Sequence, residues 1–303
     1  MNTSHLSYIR GLAMAVVLLL GLCAYAQNPI PQSDAATCDS MCTDNELEGR
    51  IVPGFYASRY VMHSTMFGIG AANVLDTYLS PYNYTGGELR VVRETMRNTR
   101  LMGESVMYQT FIDANAAMVK NRPGNVTEYA GGIRYTNAWL YNFNDIYATE
   151  YGSRLRVMAG AAAGCYLGGV YNERNGNNPA QAKMDLTIDA EAVAMYEFWV
   201  LNCPFTVRYQ INIPLLGCAF SPNYGQSYYE LFQLGNYDHN IVGATPFNAP
   251  SWRHLLTLDF KVGGSRLRVG YAGEFMQSKF NGLKYHAYSH DFMVGWIKYF
   301  VSK

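Results

Sequence analysis

Residues 183–200 read KMDLTIDAEAVAMYEFWV, and the order of apolar and polar side chains along them decides the fold. Met184, Leu186, Ile188, Ala190, Ala192, Ala194, Tyr196 and Phe198 fall on one parity, and Asp185, Thr187, Asp189, Glu191 and Glu197 on the other. Successive side chains of an extended strand point to opposite faces, so period two separates an apolar face from a charged one, whereas a helical period would mix them. The pattern recurs downstream. Phe205, Val207, Tyr209, Ile211 and Ile213 oppose Thr206, Arg208, Gln210 and Asn212; Leu256, Leu258, Phe260 and Val262 oppose Thr257, Asp259 and Lys261; Leu267, Val269, Tyr271 and Phe275 oppose Arg266, Arg268 and Glu274. Such segments reach about ten residues, the length a tilted strand needs to cross the apolar layer of a membrane, and exceed the five or six usual in soluble sheets.

Working outward, the same reading predicts ten strands, near 60–73, 87–98, 102–113, 127–141, 153–170, 183–200, 204–214, 252–262, 265–277 and 284–300. Short connections at Asn98–Leu101, Leu201–Pro204 and Gly263-Gly264 alternate with long ones at Val74–Gly86, Asp113–Val126, Tyr171–Ala182 and Leu215–Ser251, as in a barrel with both chain ends in the periplasm. The stretch Asn142–Gly152 breaks the rule; either it extends its flanking strands or twelve strands close the barrel. The expected fold is an all-β, closed antiparallel transmembrane barrel. A soluble β-sandwich also alternates, but on shorter strands and without aromatics near the strand ends such as Trp139, Tyr141, Trp199, Trp252, Trp296 and Tyr299, which are read here as interfacial girdles. The apolar-aromatic run Asp291–Phe300 resembles a barrel-assembly signal, although Ser302-Lys303 follows it.

Composition agrees with strands. The 303 residues hold 25 Tyr and 28 Gly, and 23 basic side chains balance 23 acidic ones, so no field of one sign recruits nucleic acid. Residues 1–26 read as a signal peptide: Arg10, the apolar run Gly11–Cys23, and Ala24-Tyr25-Ala26 before Gln27. The run falls short of the ~20 apolar residues of a membrane-spanning helix, and Leu22 before Cys23 fits lipidation poorly. Residues 27–58 form a polar periplasmic leader, and 59–303 the barrel. Cys38 and Cys42 lie close together in the leader, either as a local disulfide or as free thiols; no metal-ligand cluster and no phosphate-binding glycine loop accompanies them, and no cofactor is expected.

Several longer motifs carry a family resemblance. Asp76-Thr77-Tyr78-Leu79-Ser80-Pro81 with Tyr84-Thr85-Gly86, Tyr171-Asn172-Glu173-Arg174-Asn175 with Asn177-Asn178-Pro179-Ala180, Pro214-Leu215-Leu216-Gly217, and Tyr224-Gly225-Gln226-Ser227-Tyr228-Tyr229-Glu230 resemble an uncharacterised exported outer-membrane barrel family of Bacteroidetes-type bacteria. The resemblance spans nearly the whole mature chain. It implies an envelope barrel and brings no established activity, so no catalytic residue is carried over.

Chemistry is sought where the pattern places polar groups. The lumenal parity carries Asp185, Asp189, Glu191, Glu197, Asp259, Glu274 and Asp291 against Arg134, Arg154, Arg156, Arg208, Lys261, Arg266 and Arg268. A barrel near eight strands is only wide enough for side chains to fill, and ten strands widen it little, which predicts a paired charge network rather than a wide pore. A narrow path for ions or small solutes is the alternative. Ser289, close to His286 and His290, suggests a lipid hydrolase, but both histidines share the outward parity of Phe292 while Ser289 points inward with Asp291. Asp238-His239 in the longest loop pairs an acid with a histidine, without a second carboxylate pair nearby. Tyr78, Tyr84, Asn175, Asn178, Tyr224, Tyr228 and Tyr229 should gather at the loop rim, where they first suit packing of loops on one another and, as the alternative, offer aromatic and amide groups that take a glycan or small solute. The expected partner is outer-membrane lipid, with no nucleic acid.

Overall fold

In the computed structural model of the protein, residues 60–103, 105–148, 153–176, 178–200 and 203–301 are described. The signal segment and the leader with Cys38 and Cys42 lie outside the described residues. Ten antiparallel strands close a ring: β1 (Tyr60–Asp76), β2 (Tyr84–Asn98), β3 (Val106–Asn121), β4 (Thr127–Ala148), β5 (Ser153–Asn172), β6 (Ala180–Val200), β7 (Cys203–Phe220), β9 (Trp252–Val262), β10 (Ser265–Phe280) and β11 (Leu283–Val301). A short helix α1 (Tyr228–Phe232) and a short strand β8 (Ile241–Ala244) lie in the connection from β7 to β9, and β8 pairs with the last residues of β7. Closure runs through β1 and β11, from Tyr60↔Val301 to Asp76↔Tyr285. With the ring closed, no strand is left as an unpaired edge along its whole length, the condition under which strands survive in a layer that offers no water to their backbone groups.

All ten expected strands are present, with shifted ends. β3 runs to Asn121, not 113, because Ala114, Ala116 and Ala117 lack the polar contrast that alternation needs while their backbone pairs with β2. β7 continues through Pro214 to Phe220, past a bulge that leaves Leu215 unpaired between Asp189↔Pro214 and Ile188↔Leu216. Within the Asn142–Gly152 stretch, β4 continues to Ala148 beyond a register shift at Asn142/Asn144, β5 starts at Ser153, and the ring closes with ten strands. The β10–β11 connection, on the same end as the long loops, is the tight pair Asn281-Gly282, with φ 49° and 76° as a twisted hairpin turn requires.

The outward parity is apolar. Ile69, Leu89, Ile133, Leu167, Leu186, Ile188, Leu256 and Phe292 are exposed on it, a belt far larger than the apolar patches water-soluble monomers tolerate and suited to lipid. Aromatics flank it. Trp252 stacks on Phe275 and His286 on Tyr288 toward the loop end; Trp139, Tyr141, Trp296 and Phe300 are exposed toward the turn end. Two girdle expectations are corrected by parity. Trp199 shares the face of Glu197, and Tyr299 that of Ile297, where its ring lies 5.2 Å from the Arg266 guanidinium.

The closing seam depends on a glycine. Gly70 faces inward on β1, and a Cβ there would meet the His290 carbonyl oxygen at 2.1 Å and Asp291 Oδ1 at 2.3 Å. The first of these is backbone and cannot swing aside. Gly70→Val is expected to lower the urea-unfolding free energy of the refolded barrel by about 3 kcal/mol or more, as overpacking against fixed atoms does. Gly87→Val, where a Cβ meets nothing nearer than 4.0 Å, should leave the transition in place.

Candidate functional site

The lumen is built from inward positions alone, and its chemistry is arranged in levels along the barrel axis. At mid-height Arg90 of β2 is the hub. Its guanidinium contacts Glu88 (3.0 Å), Asp113 of β3 (3.0 Å), Glu274 of β10 (2.8 Å) and Asp291 of β11 (3.0 Å), and donates to Ser289 Oγ at 2.8 Å. Arg90 reaches β10 and β11 past β1 because β1 presents only Gly68 and Gly70 at this level. Arg134 of β4 extends the cluster, contacting Asp185 at 3.2 Å and Glu274 at 3.8 Å, with Tyr166 under its guanidinium at 4.6 Å.

Closer to the turn end, Glu94 of β2 holds two arginines. Arg208 of β7 meets it through both guanidinium nitrogens at 2.6 and 2.7 Å, and Arg268 of β10 at 2.8 Å. Arg268 in turn forks onto Asp259 at 2.6 and 2.7 Å. Such two-point pairing fixes orientation as well as charge. Gln109 donates to Glu94 at 2.5 Å, and Gln210 bonds Gln109, Arg208 and Glu191, whose other oxygen takes Asn212 at 3.0 Å. Arg253 joins Asp189 at 2.7 Å and Asn212. Glu94 and Arg208 are 1 % exposed and Arg268 0 %. Below them lies an apolar floor of Met62, Met96, Met107, Leu140, Met158 and Met195.

At the loop end Lys183 of β6 meets Asp76 of β1 at 3.0 Å and lies 3.9 Å over the Tyr285 ring. Three pairs therefore bridge strands with four others between them either way round the ring: Asp76 to Lys183, Glu94 to Arg208, and Arg134 to Glu274.

The expected lumenal residues lie on the inward parity. Arg134, Arg156, Asp189, Glu191, Glu197, Arg208, Asp259, Arg268, Glu274 and Asp291 are buried; Arg154, Asp185 and Arg266 are half-buried; Lys261 is exposed near the turn end of β9. The hubs themselves escaped the sequence reading. Glu88, Arg90 and Glu94 sit in GELRVVRETMR, where charges fall on both parities and Val91-Val92 blurs the alternation. Spacing by two from Glu88 to Arg90, and by four to Glu94, was the available signal. Asp113 and Arg253 were missed as supposed loop-edge residues, and the methionine floor because apolar side chains were assigned to the lipid face.

Loop candidates divide. Tyr78 donates to the Gln226 carbonyl at 2.8 Å and Asn175 to the Leu79 carbonyl at 2.7 Å, which interlocks the loops, and the Tyr228 hydroxyl accepts the Ala182 N–H at 2.7 Å, which ties its loop to the start of β6. Burial first, then neighbouring Tyr228, Asp76 and Glu230, pushes the Tyr78 phenol up to about 12, and it stays a donor at neutral pH. Tyr84 is no loop residue: it starts β2 and is buried at the lumen mouth, bonded to Ser80. Asn178 is half-buried at φ 88°, while Tyr224 and Tyr229 are exposed. Ser227 caps α1 in a capping box with Glu230.

The Ser289 constellation separates. Ser289 is buried against Arg90, whereas His290 bonds the Tyr271 hydroxyl and His286 the Asn73 side chain, both on the outward parity. A nucleophile needs a base within hydrogen-bond reach, and Ser289 has a guanidinium there instead. Asp238 and His239 pair in solvent. Cys165, Cys203 and Cys218 are free.

The fold has counterparts among solved structures. The chain is similar to the outer membrane protease OmpT from Escherichia coli (7% identity, 83% of this chain and 100% of that one, TM-score 0.43). It is similar to the translocator domain of the autotransporter NalP from Neisseria meningitidis (11%, 82% and 91%, TM-score 0.36) and to an outer membrane channel from Pseudomonas putida F1 (9%, 82% and 100%, TM-score 0.36). The likeness is one of fold. No curated protein matches the chain. The family model described as "Protein of unknown function (DUF3316)" matches residues 15–302, and the chain belongs to that family.

Proposed function

We propose that the chain is a non-conducting, non-enzymatic outer-membrane barrel, with its loops outside the cell and both ends of the ring in the periplasm. Its role is to present an interlocked loop rim from a barrel plugged by ion pairs, for recognition or for stabilising the outer leaflet. The observation that carries this reading is the Glu94–Arg208 pair, which joins opposite sides of the ring at 2.6 Å above the methionine floor. An ion moving along the axis would have to part buried, paired charges and then cross an apolar layer. Between the Arg90 and Glu94 clusters lies a cavity of about 40 Å³, bounded by Arg90, Asp113, Arg134, Glu191 and Arg253. The hydrolase alternative draws no support from Ser289, whose hydroxyl is held by Arg90.

In planar bilayers the purified barrel should add no discrete conductance steps; steps from the intact protein would sink the closed-lumen reading in favour of a narrow channel. Glu94→Ala removes the shared carboxylate from two fully buried arginines, and leaving a buried charge uncompensated costs about 3–5 kcal/mol. A matching fall is expected in the urea-unfolding free energy, with loss of heat-resistant compact migration on gels. Glu173→Ala, which removes an exposed partner of Tyr129, should leave both unchanged.

A further inference from the structure

We propose that the barrel wall opens sideways between β7 and β9, and that the cavity behind the opening takes a small, mostly apolar molecule from the outer leaflet. β7 pairs with β9 from Phe205↔Phe260 to Asn212↔Arg253, and with β8 from Gly217↔Ala244 to Phe220↔Ile241. Between those ladders, Ile213–Leu216 has no partner on that side. The chain that should fill the gap, 245–251, turns on itself instead. Ala249 N–H donates to the Thr245 carbonyl at 2.8 Å, and Asn248 Oδ1 accepts the Thr245 N–H at 2.7 Å. The segment then leans away onto β10, where its Asn248 carbonyl accepts the Lys279 N–H at 2.8 Å and Ser251 Oγ accepts the Gln277 N–H at 3.1 Å.

The sequence builds this edge. Pro214 has no N–H to strand, and the bulge at Leu215 ends the regular ladder, the two devices by which proteins blunt a sheet edge. An unpaired edge bare to hydrocarbon is too costly to persist; one that lines a cavity is tolerated. A cavity of about 90 Å³ lies there, lined on the gap side by Leu216 and Ala249 and on the lumen side by Ala219, Met276, Phe280 and Tyr285. Gln181 Oε1 and Thr187 Oγ1, also in its lining, have no hydrogen-bond partner, and Gln181 is 3 % exposed. They give an apolar guest one polar handle. The floor is shut toward the periplasm by Arg134 on Asp185 and Arg253 on Asp189. Outside the gap the wall is apolar, with Ile188, Leu215 and Leu216 exposed, and Phe247 stands 98 % exposed on the 245–251 segment.

The test is photolabelling of the refolded, full-length mature protein in phosphatidylcholine vesicles by 3-(trifluoromethyl)-3-phenyldiazirine dissolved in the acyl chains, with glutathione in the water as scavenger. Label is expected on lumenal Met276 and Phe280 as well as on belt residue Leu167, and Ala249→Trp should abolish it at the first two while sparing Leu167. Label confined to the belt overturns both cavity and opening. Label at Met276 that glutathione removes means entry through the loop mouth and overturns the sideways route, as does label that Ala249→Trp leaves unchanged. The outcome is independent of conductance: a conducting barrel would end the closed-lumen reading and leave this result standing.

Discussion

Ion pairs between opposite sides of the ring are the constraint on which the rest depends. Ten strands give a lumen slightly wider than side chains from adjacent strands fill, and Asp76–Lys183, Arg134–Glu274 and Glu94–Arg208 span it from facing walls. Removed from bulk water, such pairs interact more strongly and a missing partner is expensive. Buried bridges are weak evidence for net stability, since apolar replacements of equal volume often do as well. Their effect here is geometric. A forked arginine donates to its carboxylate along one direction, so Arg208 and Arg268 together fix how β2, β7, β9 and β10 are placed across the ring.

Glycine is the counterpart of those arginines. Arg90 can gather carboxylates from β10 and β11 only because β1 is bare at Gly68 and Gly70, and the same bareness lets β11 approach closely enough to close the ring. Charge hub and closing seam are thus one arrangement.

The strand faces were legible because lipid demands an uninterrupted apolar side, and period two reports it wherever the other side is polar, as in β6, β9 and β10. Legibility failed where the lumen itself turns apolar. Met62, Met66, Met96, Met158 and Met293 occupy inward positions, so β1, the end of β2 and the start of β5 show little contrast between faces. It failed again at Glu94, whose importance comes from standing opposite Arg208, a relation between residues far apart in sequence that no local pattern contains. At the rim, residue types predicted that Tyr78, Asn175 and Tyr228 lie there and suit packing of loops on one another, but not the partners they take, the Gln226 and Leu79 carbonyls and the Ala182 N–H at the start of β6.

The central claim is a lumen plugged at the level of Glu94 and the methionine floor, and thiol accessibility measures it directly. In a background with the remaining cysteines replaced by serine, Met96→Cys places a thiol beside the Glu94 cluster at a position 1 % exposed, and Met102→Cys places one on a turn 76 % exposed. With a small cationic methanethiosulfonate added on both sides of the membrane, the filled barrel predicts full modification at 102 and none at 96 until the protein is unfolded. Modification at 96 in the folded barrel would contradict it.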